Sequence, residues 1–331
     1  MMMIDTATLT ILSGFTIVCL IFFYLMKNKS SSNNIEKNKQ TNIIITLKNP
    51  DDKYKFILAH KEHISHDTCL FRFQLPSLKH VLGLPIGQHI YITAHINNEL
   101  IKRPYTPITS DDNQGYFDLV IKIYPNGKMT QYLDKFTIGE TINVSGPSGN
   151  LIYKTKGLFD IRSRKPEPFV TRHVRQLGLI AGGSGITPMY QILNEILKEQ
   201  TSIVYGEHVD IKIWLLFANQ TKRDILLRDE IEQLAESYSD RFKLWYTVDR
   251  ESEEWKYSKG FINETMLSEH MPPPGDDVLI CICGPPPMIK FACIPNLDKL
   301  GYTENTYLLY MLQFVYWKDR YRLQLKGPLP T

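Results

Sequence analysis

The apolar run 177–181 ends in Gly182-Gly183-Ser184-Gly185, and apolar residues then recur at Ile192, Leu193, Ile196 and Leu197, which is helical spacing. A strand that turns through glycines into a helix leaves few architectures open. It predicts an α/β domain with a parallel sheet, related in layout to the doubly wound dinucleotide folds. The glycines let backbone approach a ligand, and the helix start around Thr187 and Pro188 offers unpaired N–H groups to an anion. The standard G-x-G-x-x-G spacing is missing, so the turn read alone fits simple packing as well as ligand binding. Three further strands are expected at 210–218, 242–248 and 278–282. They run out into Asn219-Gln220, into Asp249, and into Cys283-Gly284-Pro285-Pro286-Pro287-Met288. Ligands of open α/β sheets bind beyond the carboxyl ends of the strands, so all four ends point to one crevice.

A chain of 331 residues exceeds one ordinary core and suggests about two domains. A net charge of +3, with no arginine-rich block, argues against nucleic acid as a partner. The cysteines (Cys19, Cys69, Cys281, Cys283 and Cys293) are odd in number and irregularly spaced, which disfavours a disulfide framework and favours a reducing compartment. No second cysteine pair or H-E-x-x-H spacing completes a metal set, so no metal site is expected.

From 43 to 153 the pattern changes to short β-rich runs. Strands are expected at 54–58, 69–73, 89–93 and 117–124, separated by Pro76, Gly83, Pro85, Asn97-Asn98 and Asn126-Gly127. Several strands without a long helical period suggest a small antiparallel β-barrel. Arg103-Pro104-Tyr105-Thr106-Pro107 carries chemistry in such a setting. Its prolines hold an extended segment, Tyr105 can offer an aromatic face, and Arg103 has the fork geometry for a pyrophosphate. Taken alone, the pentapeptide also fits an edge strand with a surface arginine. Gly127-Lys128-Met129-Thr130 reads as a turn into a short helix: an anion site, an ordinary helix start with Met129 and Leu133 in the core, or both at once. Gly146 to Asn150 reads as a tight closing turn.

R-P-Y-T-P, V-I-K-x-Y, G-K-M-T-x-Y-L, G-P-S-G-x-L, G-G-S-G-I-T-P and C-G-P-P-P-M follow one another in an order that resembles the ferredoxin–NADP reductase superfamily, and within it the NADH–cytochrome b5 reductases. The resemblance covers roughly 47–302. It implies an antiparallel barrel holding FAD, followed by a Rossmann-like α/β domain holding NADH, with cytochrome b5 as acceptor. FAD contacts are implied at Arg103, Pro104, Tyr105, Thr106, Val120, Lys122, Tyr124, Gly127, Lys128, Met129, Thr130 and Thr187. NADH contacts are implied at Gly182, Gly183, Ser184, Gly185, Pro188, Asp249, Cys283, Gly284, Pro285, Pro286 and Met288. Tyr105, Thr106 and Cys283 would stand nearest the reacting atoms, and a carboxylate at Asp249 would disfavour the 2′-phosphate of NADPH. Between Tyr124 and Gly127 the chain is some ten residues shorter than the family pattern. Two other functions fit the same residues: a reductase serving a different haem or iron–sulfur acceptor, and an interaction protein without activity.

Residues 9–26 form an apolar run interrupted by small polar residues, about 27 Å long as a helix, which marginally spans a bilayer. Lys27 and Lys29 follow it, so 1–26 is expected to anchor the chain with its bulk in the cytosol, at the endoplasmic reticulum or mitochondrial outer membrane. Met-Met-Met at the start lacks the glycine of a myristoylation signal. Residues 27–42 are polar and read as a flexible linker. The polar stretch 154–176 is expected to link a flavin domain at 43–153 to a nucleotide domain at 177–305. An atypical tail at 306–331 holds an apolar segment too short to cross a membrane.

Overall fold

In a computed structural model, residues 43–201, 211–250 and 254–310 are described. The expected anchor, the 27–42 linker and most of the tail lie outside them. Among the described residues no helix is long and apolar enough to cross a membrane.

The amino-terminal half starts with β1 (Ile44–Ile45), β2 (Tyr54–Ser65), β3 (Thr68–Gln74) and β4 (His80–Val81). It continues with β5 (His89–Ile96), β6 (Glu99–Tyr105), β7 (Tyr116–Lys122), helix α1 (Lys128–Asp134) and β8 (Thr141–Ser148). Six strands form one antiparallel sheet in the order β6-β5-β8-β2-β3-β7, while β1 and β4 pair separately. Period-two alternation builds its interior: Ile90, Ile92 and Ala94 of β5 are buried on one face. Ile101 of β6 and Phe117, Leu119 and Ile121 of β7 share that core although their strands lie at opposite ends of the order. The sheet therefore curls on itself with an open seam between β6 and β7, rather than closing through hydrogen bonds. Met129 and Leu133 of α1 are buried in the same core.

Two expectations need correction here. Gly146 to Ser148 is not turn but the end of β8, where Ser148 pairs with His89. The polar stretch 154–176 is not a bare linker. It contributes to β9 (Leu151–Thr155) and supplies β10 (Leu158–Ile161) and β11 (Val170–His173), an antiparallel three-stranded sheet. Phe159 and Val174 bury one side of this sheet in the core of the second half.

The second half holds β12 (Gln176–Gly182), α2 (Ile186–Thr201), β13 (Lys212–Asn219), α3 (Arg228–Ser237), β14 (Phe242–Val248) and β15 (Ser258–Lys259). After these come α4 (Glu264–His270), β16 (Val278–Cys283), α5 (Ile294–Lys299) and β17 (Tyr307–Leu309). The sheet order is β15-β14-β13-β12-β16-β17, all parallel. The chain thus starts in the middle at β12, winds outward through β13 and β14, then crosses to β16. The switch point lies between β12 and β16. Alternate residues of each strand face opposite layers: Leu177, Leu179 and Ala181 join one core with α2, and Ile180 joins another with α4 and α5. The start of the tail is part of this sheet, since β17 pairs with β16.

The described residues from Ile44 onward form one compact unit. The core around α2 recruits Val120 of β7, with Leu70, Ile86 and Ile108 packed against it from the amino-terminal half. Leu193 of α2 is fully buried in this core, whereas Leu78 is 81% exposed. Leu193→Ala should cost about 2–5 kcal/mol in urea unfolding, and Leu78→Ala no more than about 0.5 kcal/mol. Equal losses would contradict this core assignment.

Candidate active site

At the carboxyl end of β12 the backbone enters a single 3-10 turn, Gly183–Gly185, and α2 starts at Ile186. Two glycines there are needed for different reasons. A Cβ on Gly185 would lie 2.2 Å from the Cys283 carbonyl oxygen, so the turn presses against the end of β16. Gly183 has φ +52 and nothing within 4 Å of a would-be Cβ, so it is needed for its backbone conformation and opens onto free space. The first turn of α2 carries no acidic residue to fill its N-terminal partial charge. The Thr187 hydroxyl donates to the Ser184 carbonyl at 3.3 Å, tightening the turn.

The other sheet ends converge on this turn. Ala181 pairs with Cys283, and a Cβ on Gly182 would meet Met288 Sδ at 2.6 Å and Pro285 Cδ at 2.8 Å. Gly284 lies equally close, 3.1 Å from Gly182 Cα at its would-be Cβ. On the opposite side Gly182 pairs with Ala218, which sets Asn219 one step beyond. Asn219 is buried, and neither atom of its side-chain amide has a hydrogen-bond partner in the protein. A buried unpaired amide is costly, which fits a ligand group as its partner. The Asp249 N–H donates to the Asn219 carbonyl at 3.1 Å, so the exposed Asp249 at the end of β14 is tied to the same edge.

The amino-terminal half meets this edge through β7 and the segment after it. Tyr124 Oη and Ser184 Oγ are 3.0 Å apart, a hydrogen bond from the barrel to the glycine turn. Tyr105, at the end of edge strand β6, is half-buried against the barrel core beside Tyr124. Burial pushes the Tyr105 phenol up; Arg103 opposes this and Tyr124 adds to it. Pro104 is tolerated because β6 pairs on one side only, with β5. Thr106 is buried just past that strand. The short connection 124–127 closes on itself. Gly127 N–H donates to the Tyr124 carbonyl at 2.9 Å, Tyr124 N–H to Thr130 Oγ1 at 3.2 Å, and the Thr130 hydroxyl to the Gly127 carbonyl at 3.1 Å. Lys128 reaches Glu99 at 2.5 Å. The aromatic Tyr105–Tyr124 side of the barrel thus meets the glycine turn, an arrangement that fits a flavin on one side and a dinucleotide on the other.

Four sequence-predicted residues also take structural places, Met129 in the core position that its helical spacing offered. Met129 is a core residue and offers its side chain to the barrel interior. Val120 is buried in the core of the second half. Cys283 is fully buried, its thiol pushed well up by that burial, and the Tyr310 hydroxyl lies buried near it and Cys281. Lys122 is held between carboxylates: its ammonium is 2.7 Å from Asp224 and 2.8 Å from Asp67. Asp224 also accepts from the Thr221 hydroxyl at 2.7 Å, and His66 Nε2 stands 3.4 Å from Asp67 and 3.7 Å from Asp224. Because Lys122 ends β7 and Asp224 follows β13, this ion pair ties the two halves together. Gln191 does the same from α2, accepting the Gly87 N–H at 2.8 Å in a buried bond. Gln191 and Asp224 lie outside any motif, and no sequence signal singles them out; Asn219 is marked in sequence only by its place just past the expected 210–218 strand.

Burial alone lowers the Lys122 pKa, but its bonds to Asp224 and Asp67 outweigh it and raise the value. For Asp224, burial raises the pKa and the Lys122 and Thr221 bonds outweigh it, lowering the value. The Lys122 contribution is therefore complete below the ordinary lysine pKa and lost only as pH rises through the raised one. The Asp224 contribution is complete above about pH 3.9 and lost as pH falls below it. Asp224→Asn should destabilise the protein by about 1–3 kcal/mol, less than an isolated buried pair because Asp67 remains. In urea unfolding that gap should hold from about pH 7 to pH 9 and close below about pH 4. A gap that persists in acid would rule out the ion pair as its source.

Comparisons with known proteins agree with this layout. Residues 55–153 match the Oxidoreductase FAD-binding domain family, and residues 179–294 match the Oxidoreductase NAD-binding domain family. The chain is 52% identical over 270 residues to NADH-cytochrome b5 reductase 3 of Rattus norvegicus, covering 79% of this chain and 87% of that protein. It is 46% identical over 315 residues to NADH-cytochrome b5 reductase 2 of Danio rerio, covering 92% of this chain and all of that protein. The crystal structure of the cytochrome b5 reductase domain of Ulva prolifera nitrate reductase superposes with a TM-score of 0.73 at 39% identity, over 81% of this chain and 100% of that one. With a FAD-binding domain followed by a NAD-binding domain and these relatives, the chain belongs to the NADH–cytochrome b5 reductase family.

Proposed function

We propose that this chain oxidises NADH and passes the electrons, by way of FAD held between its halves, to cytochrome b5. The observation that carries this reading is the Tyr124–Ser184 hydrogen bond, which brings the Tyr105 side of the barrel against the glycine turn. When bound, FAD supplies the chemistry of taking up a hydride and releasing electrons singly. The residues described here bind, orient and exclude water. Arg103 offers its fork to the flavin pyrophosphate, while Tyr105 and the buried Thr106 hold the ring. Gly183 and the first turn of α2 receive the NADH pyrophosphate, and the Asn219 amide pairs with a polar group of the nucleotide. Asp249 accepts from a ribose hydroxyl and repels a 2′-phosphate. Lys122 serves chiefly to hold the halves at this spacing. Cys283 shapes the end of β16 through its backbone against Gly185.

The apolar run 9–26, followed by Lys27 and Lys29, supports an anchor in the endoplasmic reticulum or mitochondrial outer membrane with the catalytic halves in the cytosol. Tethering both enzyme and acceptor to one membrane raises their effective concentration without any added contact.

The full-length protein, purified in detergent, should carry flavin absorbance that bleaches on adding NADH and is restored by oxidised cytochrome b5. Colourless protein would end the oxidoreductase reading, and bleaching without transfer to cytochrome b5 would point to another acceptor. Arg103→Ala should lose most of the bound flavin in gel filtration, and full flavin content would remove its assigned role. Asp249→Ser should narrow the preference for NADH over NADPH by about 1–2 kcal/mol, roughly 5–30-fold in the kcat/KM ratio. An unchanged ratio would leave the discriminator elsewhere.

A further inference from the structure

A second chemical cluster lies on the barrel, outside the residues assigned to electron transfer. His63 of β2 and Cys69 of β3 are direct cross-strand partners. Cys69 Sγ stands 3.2 Å from His63 Nδ1. Asp134, the last residue of α1, brings a carboxylate oxygen to the same place. Sulfur, nitrogen and oxygen all lie within 4.8 Å of one another. Cys69 is fully buried, His63 is exposed, and Asp134 is 36% exposed at its side chain. The cluster is thus closed underneath by the core and open to solvent past the imidazole.

We propose that His63, Cys69 and Asp134 form a binding site for a thiophilic divalent cation of the zinc class, with water as fourth ligand. One thiolate, one imidazole and one carboxylate form a donor set that zinc accepts and that magnesium and calcium do not favour. Bonds of about 2.3 Å to sulfur and 2.0–2.1 Å to nitrogen, set tetrahedrally, hold those two atoms about 3.5 Å apart. The observed 3.2 Å is within a few tenths of that. A small outward turn of the exposed imidazole and an inward turn of the Asp134 side chain complete the geometry. Antiparallel pairing fixes the first two ligands, because directly opposed residues present their side chains on the same face.

Lys61 is a cation close by. Its ammonium donates to the Asp134 carbonyl and stands 3.5 Å from Asp134 Oδ1. One carboxylate oxygen can stay with Lys61 while the other takes the ion, so Lys61 orients the ligand from outside. Its charge weakens the site relative to a pure thiolate–carboxylate pair. A thiol of ordinary pKa carries its proton near neutral pH. Binding therefore exchanges that proton for the metal: the S–H bond breaks, a sulfur–metal bond forms, and one proton leaves to solvent. The burial of Cys69 argues against a reactive nucleophile, which needs an accessible thiolate.

The test uses full-length flavin-loaded protein without a histidine tag, treated with chelator and then equilibrated with zinc chloride. After desalting, the wild type should retain about one zinc per flavin, with one proton released per zinc bound. Cys69→Ser and His63→Gln should each retain less than a tenth of that. Cobalt(II) in place of zinc should give thiolate-to-metal charge-transfer absorbance in the wild type that Cys69→Ser abolishes. His63 is exposed, so His63→Gln should keep its flavin and report on the metal alone. Wild-type protein that retains no zinc, or flavin-loaded variants that retain as much as the wild type, would overturn the site.

Discussion

Val120 belongs by sequence to the barrel and by packing to the other half of the molecule. On β7 the alternate residues Phe117, Leu119 and Ile121 fill the barrel, which leaves Val120 and Asp118 on the opposite face. Asp118 is neutralised by a two-bond pair with Arg72, and Val120 enters the core built around α2. Everything proposed for the cleft depends on this shared strand. A strand buried on both faces cannot shift without opening two cores, so the barrel and the sheet are held at one spacing. The Gln191–Gly87 bond and the Lys122 ion pair then add direction to an interface whose driving force is apolar burial.

That constraint also divides labour along β7. Val120 packs and Lys122 bridges, while Tyr124, just beyond the strand, reaches the glycine turn. A motif that reads as a row of cofactor contacts is, in part, a row of structural ties. The two functions are compatible because successive strand residues face opposite ways. The fully buried Cys283 makes a similar point: its conspicuous place after an apolar strand reflects backbone contact with Gly185.

Much of the second half was legible because its signals are local. β12, β13 and β16 each carry a continuous apolar run ended by glycine or a polar residue, and α2 repeats apolar residues at helical spacing. The strands at β12, β13, β14 and β16 fall within a residue or two of their expected places. The first half was harder. β6 is an edge strand containing a proline, β8 continues through Gly146-Pro147, β10 and β11 are only four residues long, and β11 is largely polar. β6 and β11 lack the alternation and apolar content that mark a strand in sequence and gain their order from pairing with a neighbour, while β8 alternates only over its first half and β10 has just four residues. The seam between β6 and β7 is likewise a property of pairing and not of composition.

The amino-acid sequence by itself determined the order of the halves, the glycine turn, and the residue types offered to an anion and an aromatic ring. These depend on backbone propensity and on spacing within a dozen residues. Tertiary structure alone decided which of those residues remain available. It drew Val120 into the core of the other half, engaged Lys122 with Asp224 about a hundred positions away, and left the Asn219 amide buried without a partner. It also set His63 against Cys69 through strand register. Such choices rest on contacts between segments far apart in the chain, and their energies come from burial and pairing that no local stretch of sequence contains.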